Sequence, residues 1–167
     1  MLIGAISYSI AAAIFLVLLL ILLAGRTGGL PKHLLTFAVA ASALWAAGAA
    51  YQAVFDAPLI IPQLLELLRD FAWLTFLMHM LSTKDGGKDA VSTSLAIARH
   101  GIYAFTAVMV ALVLYLHFSG AGIFFLAGFD FQLAGHLLLA VIGLVLLEQV
   151  LRNTPSDLLR AIKYLCF

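Results

Sequence analysis

Glu66, Arg69 and Asp70 carry the most chemistry in this chain, because they stand inside an otherwise apolar run. Offsets of three and four residues place such side chains on one face of a helix, and Gln63 and Trp73 fall on the same stripe. If the apolar segment restarted after Asp70, only residues 71–81 would remain. That is about 16 Å of helix at 1.5 Å per residue, too short to cross roughly 30 Å of hydrocarbon. The three charges are therefore expected at hydrocarbon depth, in the outer half of a membrane. Arg69 neutralises one carboxylate and leaves the other to be protonated, solvated or paired from another helix. Ionisable groups at such depth are candidates for function by default. The plainer alternative is an internal ion-pair network, or a water-lined vestibule with no specific task.

The other reactive side chains fit no such constellation. Five histidines invite a haem reading, but His100 and His117 differ by 17 residues, about 260° of helical rotation, so one helix would aim them at different faces. Interfacial or hydrogen-bonded histidines are expected at His79, His100, His117 and His136. No H-E-x-x-H pattern or Asp/His cluster points to a metal, and no cofactor is implied. Ser7, Ser9, Thr75 and Ser94 lack a neighbouring base, and neither G-x-S-x-G nor a phosphate-cradling glycine loop occurs. No catalytic residue is assigned.

Composition dictates the kind of scaffold that must position these residues. Of 167 residues, 65% are apolar and 10% are charged, against about a quarter charged in a soluble domain. The mean hydropathy is +1.14. Such a chain has the lipid bilayer as its solvent, and only helices or closed barrels satisfy the backbone there. A net charge of +1 excludes a polyanion-binding footprint, so nucleic acid is not an expected partner. One cysteine, Cys166, excludes an internal disulfide framework.

The apolar runs predict an all-α polytopic transmembrane bundle forming one membrane-embedded unit over 1–167. Five spans are expected at 2–24, 34–55, 59–81, 102–118 and 131–147, the last continuing as helix to about 151; residues 158–167 open a sixth. The first span lacks the basic flank and cleavage site of a signal peptide. Loops are short except around 82–99, where Thr83 to Asp89 reads as a solvated turn. The stretch 120–129 is rich in phenylalanine and suits an aromatic interfacial belt or a segment dipping back into the membrane. In the second span Ala38, Ser42, Ala46 and Ala50 recur at every fourth position, which suits close helix packing.

Eight of the nine basic residues (Arg26, Lys32, Lys84, Lys88, Arg99, Arg152, Arg160 and Lys163) fall on one side of this topology. The positive-inside rule makes that side cytoplasmic, with the N-terminus outside and the C-terminus inside. At the inner end of the fifth span, Glu148 and Arg152 have the spacing of an i,i+4 pair. Asn153-Thr154-Pro155 then stops the helix, and Thr154 or Ser156 caps the next one.

Glu148-Gln149 with Arg152-Asn153-Thr154-Pro155, followed by Ala161-Ile162-Lys163-Tyr164-Leu165-Cys166, resembles the membrane region of PrsK-type sensor histidine kinases. These kinases accompany the PEP-CTERM/exosortase protein-sorting system of Gram-negative bacteria. Ser7-Tyr8 before an Ala- and Leu-rich run, and the tryptophan in the second span, are similar too. Arg160 departs from the pattern, which has tryptophan there. The resemblance covers the whole chain, although only 148–166 is specific. It implies a sensory and anchoring region for a two-component kinase that regulates envelope sorting or exopolysaccharide genes. The larger family members continue into a GAF-like module and an ATP-dependent kinase. That part would supply a homodimer interface and a response-regulator partner. Phosphotransfer motifs are missing from these 167 residues, because His100 is juxtamembrane and no nucleotide lid occurs.

In this reading Glu66, Arg69 and Asp70 form the sensing network. Glu148, Gln149, Arg152, Asn153 and Pro155 form the turn that couples the fifth span to the segment after it. The competing expectation is a small secondary transporter or channel subunit in which the same three charges bind substrate or protons.

Overall fold

Long runs without proline or polar interruption leave the backbone no partner in lipid except itself, and helices result. A computed structural model describes residues 2–25, 32–55, 60–82, 89–119, 125–126 and 129–152. It contains five helices: α1 (Leu2–Ala24), α2 (Lys32–Phe55), α3 (Ile60–Ser82), α4 (Asp89–Ser119) and α5 (Phe131–Arg152). Between α4 and α5, the two-residue strands β1 (Phe125–Leu126) and β2 (Phe129–Asp130) pair antiparallel. Among the described residues, four helices (α1, α2, α4 and α5) are long and apolar enough to cross a membrane, which marks the chain as a membrane protein. The remaining helix, α3, has 23 residues, about 34 Å of length, but contains Glu66, Arg69 and Asp70.

The expected boundaries agree to within two residues for α1, α2 and α3. The fourth differs. Helix α4 begins at Asp89, well before the expected 102, so most of the stretch assigned to a loop is helical. The helix runs through residues 89–95 ahead of the apolar window, which covers only Ala96–Tyr115. Of the stretch 120–129 only 125–126 and 129 are described, and there Phe125 pairs with Asp130 and Leu126 with Phe129. The expected sixth helix at 158–167, with Asn153 and Pro155 before it, lies outside the described residues.

Helix α3 is the hub, packing on α2, α4 and α5, whereas α1 packs on α2. The α2–α3 pair is antiparallel along its length. His33 meets His79, Ser42 meets Trp73, Trp45 meets Arg69, and a β-carbon on Gly48 would lie 2.8 Å from Leu65. Small residues permit this approach. Ala38, Ala41 and Ser42 are fully or nearly fully buried on α2, as is Ala72 on α3. The expected packing stripe is thus buried at Ala38, Ser42 and Ala46, with Ala50 half-buried.

On its other side α3 buries Leu67, Leu74 and Met78 against Ile102, Met109 and Val113 of α4 and Leu139 of α5. Gly135 lets α5 approach α4, since a β-carbon there would run into the Met109 thioether. Helix α1 is anchored by the edge-on contact of Tyr8 with Trp45, 5.8 Å between ring centroids. Its end is capped where the Lys32 ammonium donates to the Gly25 carbonyl, a cation on a helix C-terminus.

Candidate functional site

The α3 charges assemble as their helical spacing requires. Arg69 donates from Nε and Nη2 to Asp70 Oδ1, at 3.1 and 2.9 Å, and its Nη2 lies 3.6 Å from Glu66 Oε1. Two more helices complete the setting. From α2, the Trp45 ring lies under the guanidinium, 4.1 Å from centroid to Cζ, a cation–π contact worth about 1–2 kcal/mol when desolvated. From α5, His136 Nδ1 faces Asp70 Oδ2 at 3.9 Å, beyond direct hydrogen-bond range. The side chains of Arg69, Asp70 and His136 are about four-fifths buried, and Glu66 is about two-thirds buried.

A second polar relay braces the cluster from behind. The Trp73 indole N–H donates to Ser42 Oγ at 3.0 Å, and the Ser42 hydroxyl donates to the Ala38 carbonyl at 2.9 Å. Ser42 is wholly buried, so this chain of bonds pins the rotation of α3 against α2. Trp73 stands one turn beyond Arg69 and Asp70, and holding its indole holds the face that carries them.

Between α3 and α5 these residues line a cleft of about 340 Å³. Glu66, Arg69, Asp70, Trp73 and His136 form its polar wall; Leu74, Leu77, Leu137 and Ala140 continue it as an apolar channel. Gly143 forms part of the same wall, and a β-carbon there would sit at an ordinary 3.8 Å from Leu74. The volume lies at the small end of the range for ligand sites. Among the described residues neither ring nitrogen of His136 has a hydrogen-bond partner, although both are buried.

Helical spacing alone puts Glu66, Arg69 and Asp70 together and leaves one carboxylate awaiting a partner from another helix. That partner is His136, which the sequence reading groups with interfacial histidines. The available signal is its position as a lone imidazole between Gly135 and Leu137 in an apolar helix, where a polar side chain faces the bundle interior. The four-residue repeat accounts for Ser42 by packing alone, and Ser42 also serves as the acceptor for Trp73. The other histidines fit the expectation better. His100 donates to the Ala96 carbonyl at 2.7 Å, and His117 packs edge-on against Phe118.

At the far end of α5, Glu148 and Arg152 form the expected i,i+4 pair at 3.4 Å. Both side chains are largely exposed, as is Gln149, so the pair contributes little to stability by itself. The structure does not bring these residues to the α3 cluster; they sit beyond Ala140 and Gly143 on the same helix, about three turns from His136. Asn153 and Pro155 lie outside the described residues. Among the described residues, no group of three or more His, Cys, Asp or Glu side chains converges as a metal site.

No family model matches this chain, and no match was found among curated proteins or solved structures.

Proposed function

We propose that this chain is the membrane-embedded sensory region of a signalling protein, with the Glu66–Arg69–Asp70–His136 cluster as its input. The observation that carries the reading is that one polar cluster joins α2, α3 and α5 and lines a cleft between two of them. A ligand or charge change there alters contacts made by α3 and α5 together, and α5 runs from the cluster to the Glu148–Arg152 pair at its end. A two-state bundle needs such a differential interaction to respond to a stimulus at all.

In this reading α3 spans the bilayer with the other four helices, for five spans in total. Its pairing with α2 from His33 to Gly48 supports this, because a helix paired along a spanning neighbour shares its depth. The distribution of basic residues supports an outer N-terminus and a cytoplasmic end for α5, and the resemblance of residues 148–166 supports a bacterial inner membrane. The resemblance of residues 148–166 to PrsK-type kinases supports a histidine kinase of the PEP-CTERM/exosortase system as the protein served. Its dimerising and response-regulator-binding parts would lie in the kinase modules.

The test is autophosphorylation in membranes carrying the intact kinase, comparing wild type with Glu66→Gln/Asp70→Asn. A changed output at normal membrane levels supports the assignment, and unchanged output removes it. The competing reading, a small secondary transporter or channel subunit, draws on the same cluster, since a buried Asp–His pair beside a cleft is also suited to moving protons. Proton flux in proteoliposomes that depends on Asp70 and His136 would favour the transporter.

A further inference from the structure

We infer that His136 is the proton-binding residue of the α3/α5 cluster, and that its protonation ties α5 to α3 through a hydrogen bond from Nδ1 to Asp70 Oδ2. The inference rests on the sensory reading proposed above and makes the proton the stimulus at that site.

The gap between the two groups is the first observation. His136 Nδ1 and Asp70 Oδ2 face each other across α5 and α3 at 3.9 Å. A hydrogen on Nδ1 would draw them to about 2.8 Å, the length of a charge-assisted bond. The separation is instead that of two acceptors, which assigns the ring as neutral with its hydrogen on Nε2. Both ring nitrogens are buried without a partner, so the neutral ring satisfies neither. This arrangement is the proton-free one, with room for a proton between its two holders.

Charge balance is the second observation. Glu66 and Asp70 face one permanent cation, Arg69. With the ring neutral the cluster carries one net negative charge, in a setting where an uncompensated charge is costly. A proton on His136 cancels it, and no external ion is required. Among the described side chains, these three are the charged groups that share the cleft wall with His136. Helix α4 presents the Met109 thioether at Gly135, and its nearest titratable residues, Tyr103 and Tyr115, stand about one and a half turns to either side. Strand β2 carries Asp130 six residues ahead of His136, and on α5 itself Glu148 and Arg152 lie about three turns beyond or more.

The contacts also decide which partner moves. Asp70 Oδ1 accepts two bonds from Arg69, and the guanidinium rests on Trp45 of α2, so the carboxylate is held from two helices. The imidazole has no bond holding it, and a cleft of about 340 Å³ lies beside it. The proton enters at Asp70, whose side chain keeps 20% exposure and lines that cleft. It transfers from Oδ2 to Nδ1, so the carboxylate returns to its anion and the ring becomes a cation. His136 then closes about 1 Å toward Asp70, giving α3 and α5 a polar bond that the neutral state lacks. Histidine changes charge between about pH 5 and 8, so the tie forms on the acid side of that window and is released on the alkaline side.

The test is solid-state NMR on the full chain in phosphatidylcholine liposomes, isotope-labelled at the histidine nitrogens and the aspartate carboxyl carbons. His136→Gln and Asp70→Asn identify the two signals by their loss. From about pH 8 to about pH 5, the His136 ring is expected to pass from a bare Nδ1 to both nitrogens protonated. Over the same step the dipolar coupling between Nδ1 and the Asp70 carboxyl carbon should report a distance shorter by about 1 Å. A hydrogen on Nδ1 at the alkaline end, one charge state throughout, or a charged ring at an unchanged distance each overturns the inference from the wild-type protein. Autophosphorylation of the intact kinase across the same range separates this inference from the sensory reading. A step in output that His136→Gln removes supports both. A His136 transition with output indifferent to pH keeps the switch and removes the sensory assignment. Output that needs Glu66 and Asp70, with His136 neutral throughout, removes the switch and keeps the sensor.

Discussion

Replacing Arg69 is the sharpest test of whether the charged cluster is one unit. Arg69→Met keeps the length of the side chain and removes the guanidinium, stranding Asp70 and Glu66 and emptying the face of Trp45. Breaking a buried ion pair from one side costs about 3–5 kcal/mol. Arg69 and Asp70 keep about a fifth of their side-chain exposure, so the lower end applies, about 3 kcal/mol, with about 1 kcal/mol more for the lost cation–π contact. Asp70→Asn leaves Arg69 its Trp45 and Glu66 contacts and should cost less, about 1–2 kcal/mol. In the Asp70→Asn background, Arg69→Met no longer strands Asp70, and its cost should fall to about 2 kcal/mol, a coupling of about 2 kcal/mol between the two residues. Equilibrium unfolding in mixed micelles, followed by helicity, measures all four corners of the cycle. Single-mutant costs that add to within about 0.5 kcal/mol would mean independent residues, and the cluster would not be a unit.

Ser42→Ala takes the acceptor from the Trp73 indole and should destabilise the bundle by about 1–3 kcal/mol, with a shifted tryptophan emission maximum; a silent substitution would mean that the indole does not depend on Ser42. Gly135→Leu should push α5 off α4 through Met109 at about 1–3 kcal/mol, and Met109→Ala should restore part of the loss; failure of that rescue in thermal unfolding argues against this contact. With Cys166→Ser removing the chain's one cysteine, Ser82→Cys should react with impermeant thiol reagents from the cytoplasmic side and Ser119→Cys from the opposite side. The reverse pattern would invert the proposed orientation.

The sequence alone determined that this is a helical membrane protein, because the thickness of hydrocarbon and the need to satisfy every backbone group leave few solutions for so apolar a chain. It also determined that Glu66, Arg69 and Asp70 lie together, since the helical repeat acts over three or four residues whatever the surroundings. The extent of α4 escaped it, because residues 89–95 precede the apolar window at Ala96–Tyr115 from which a span is read. Only the tertiary structure decided what meets those charges. Trp45 reaches Arg69 across 24 positions, and His136 reaches Asp70 across 66, through the rotation and register of packed helices. Helices α1, α2 and α5 are apolar nearly all the way round, so their sequences hold little record of which face turns inward. Rotation and register came instead from small contacts distributed along the bundle: the alanines and Ser42 of α2, the Trp73 bond across to that serine, and Gly135 making room for Met109.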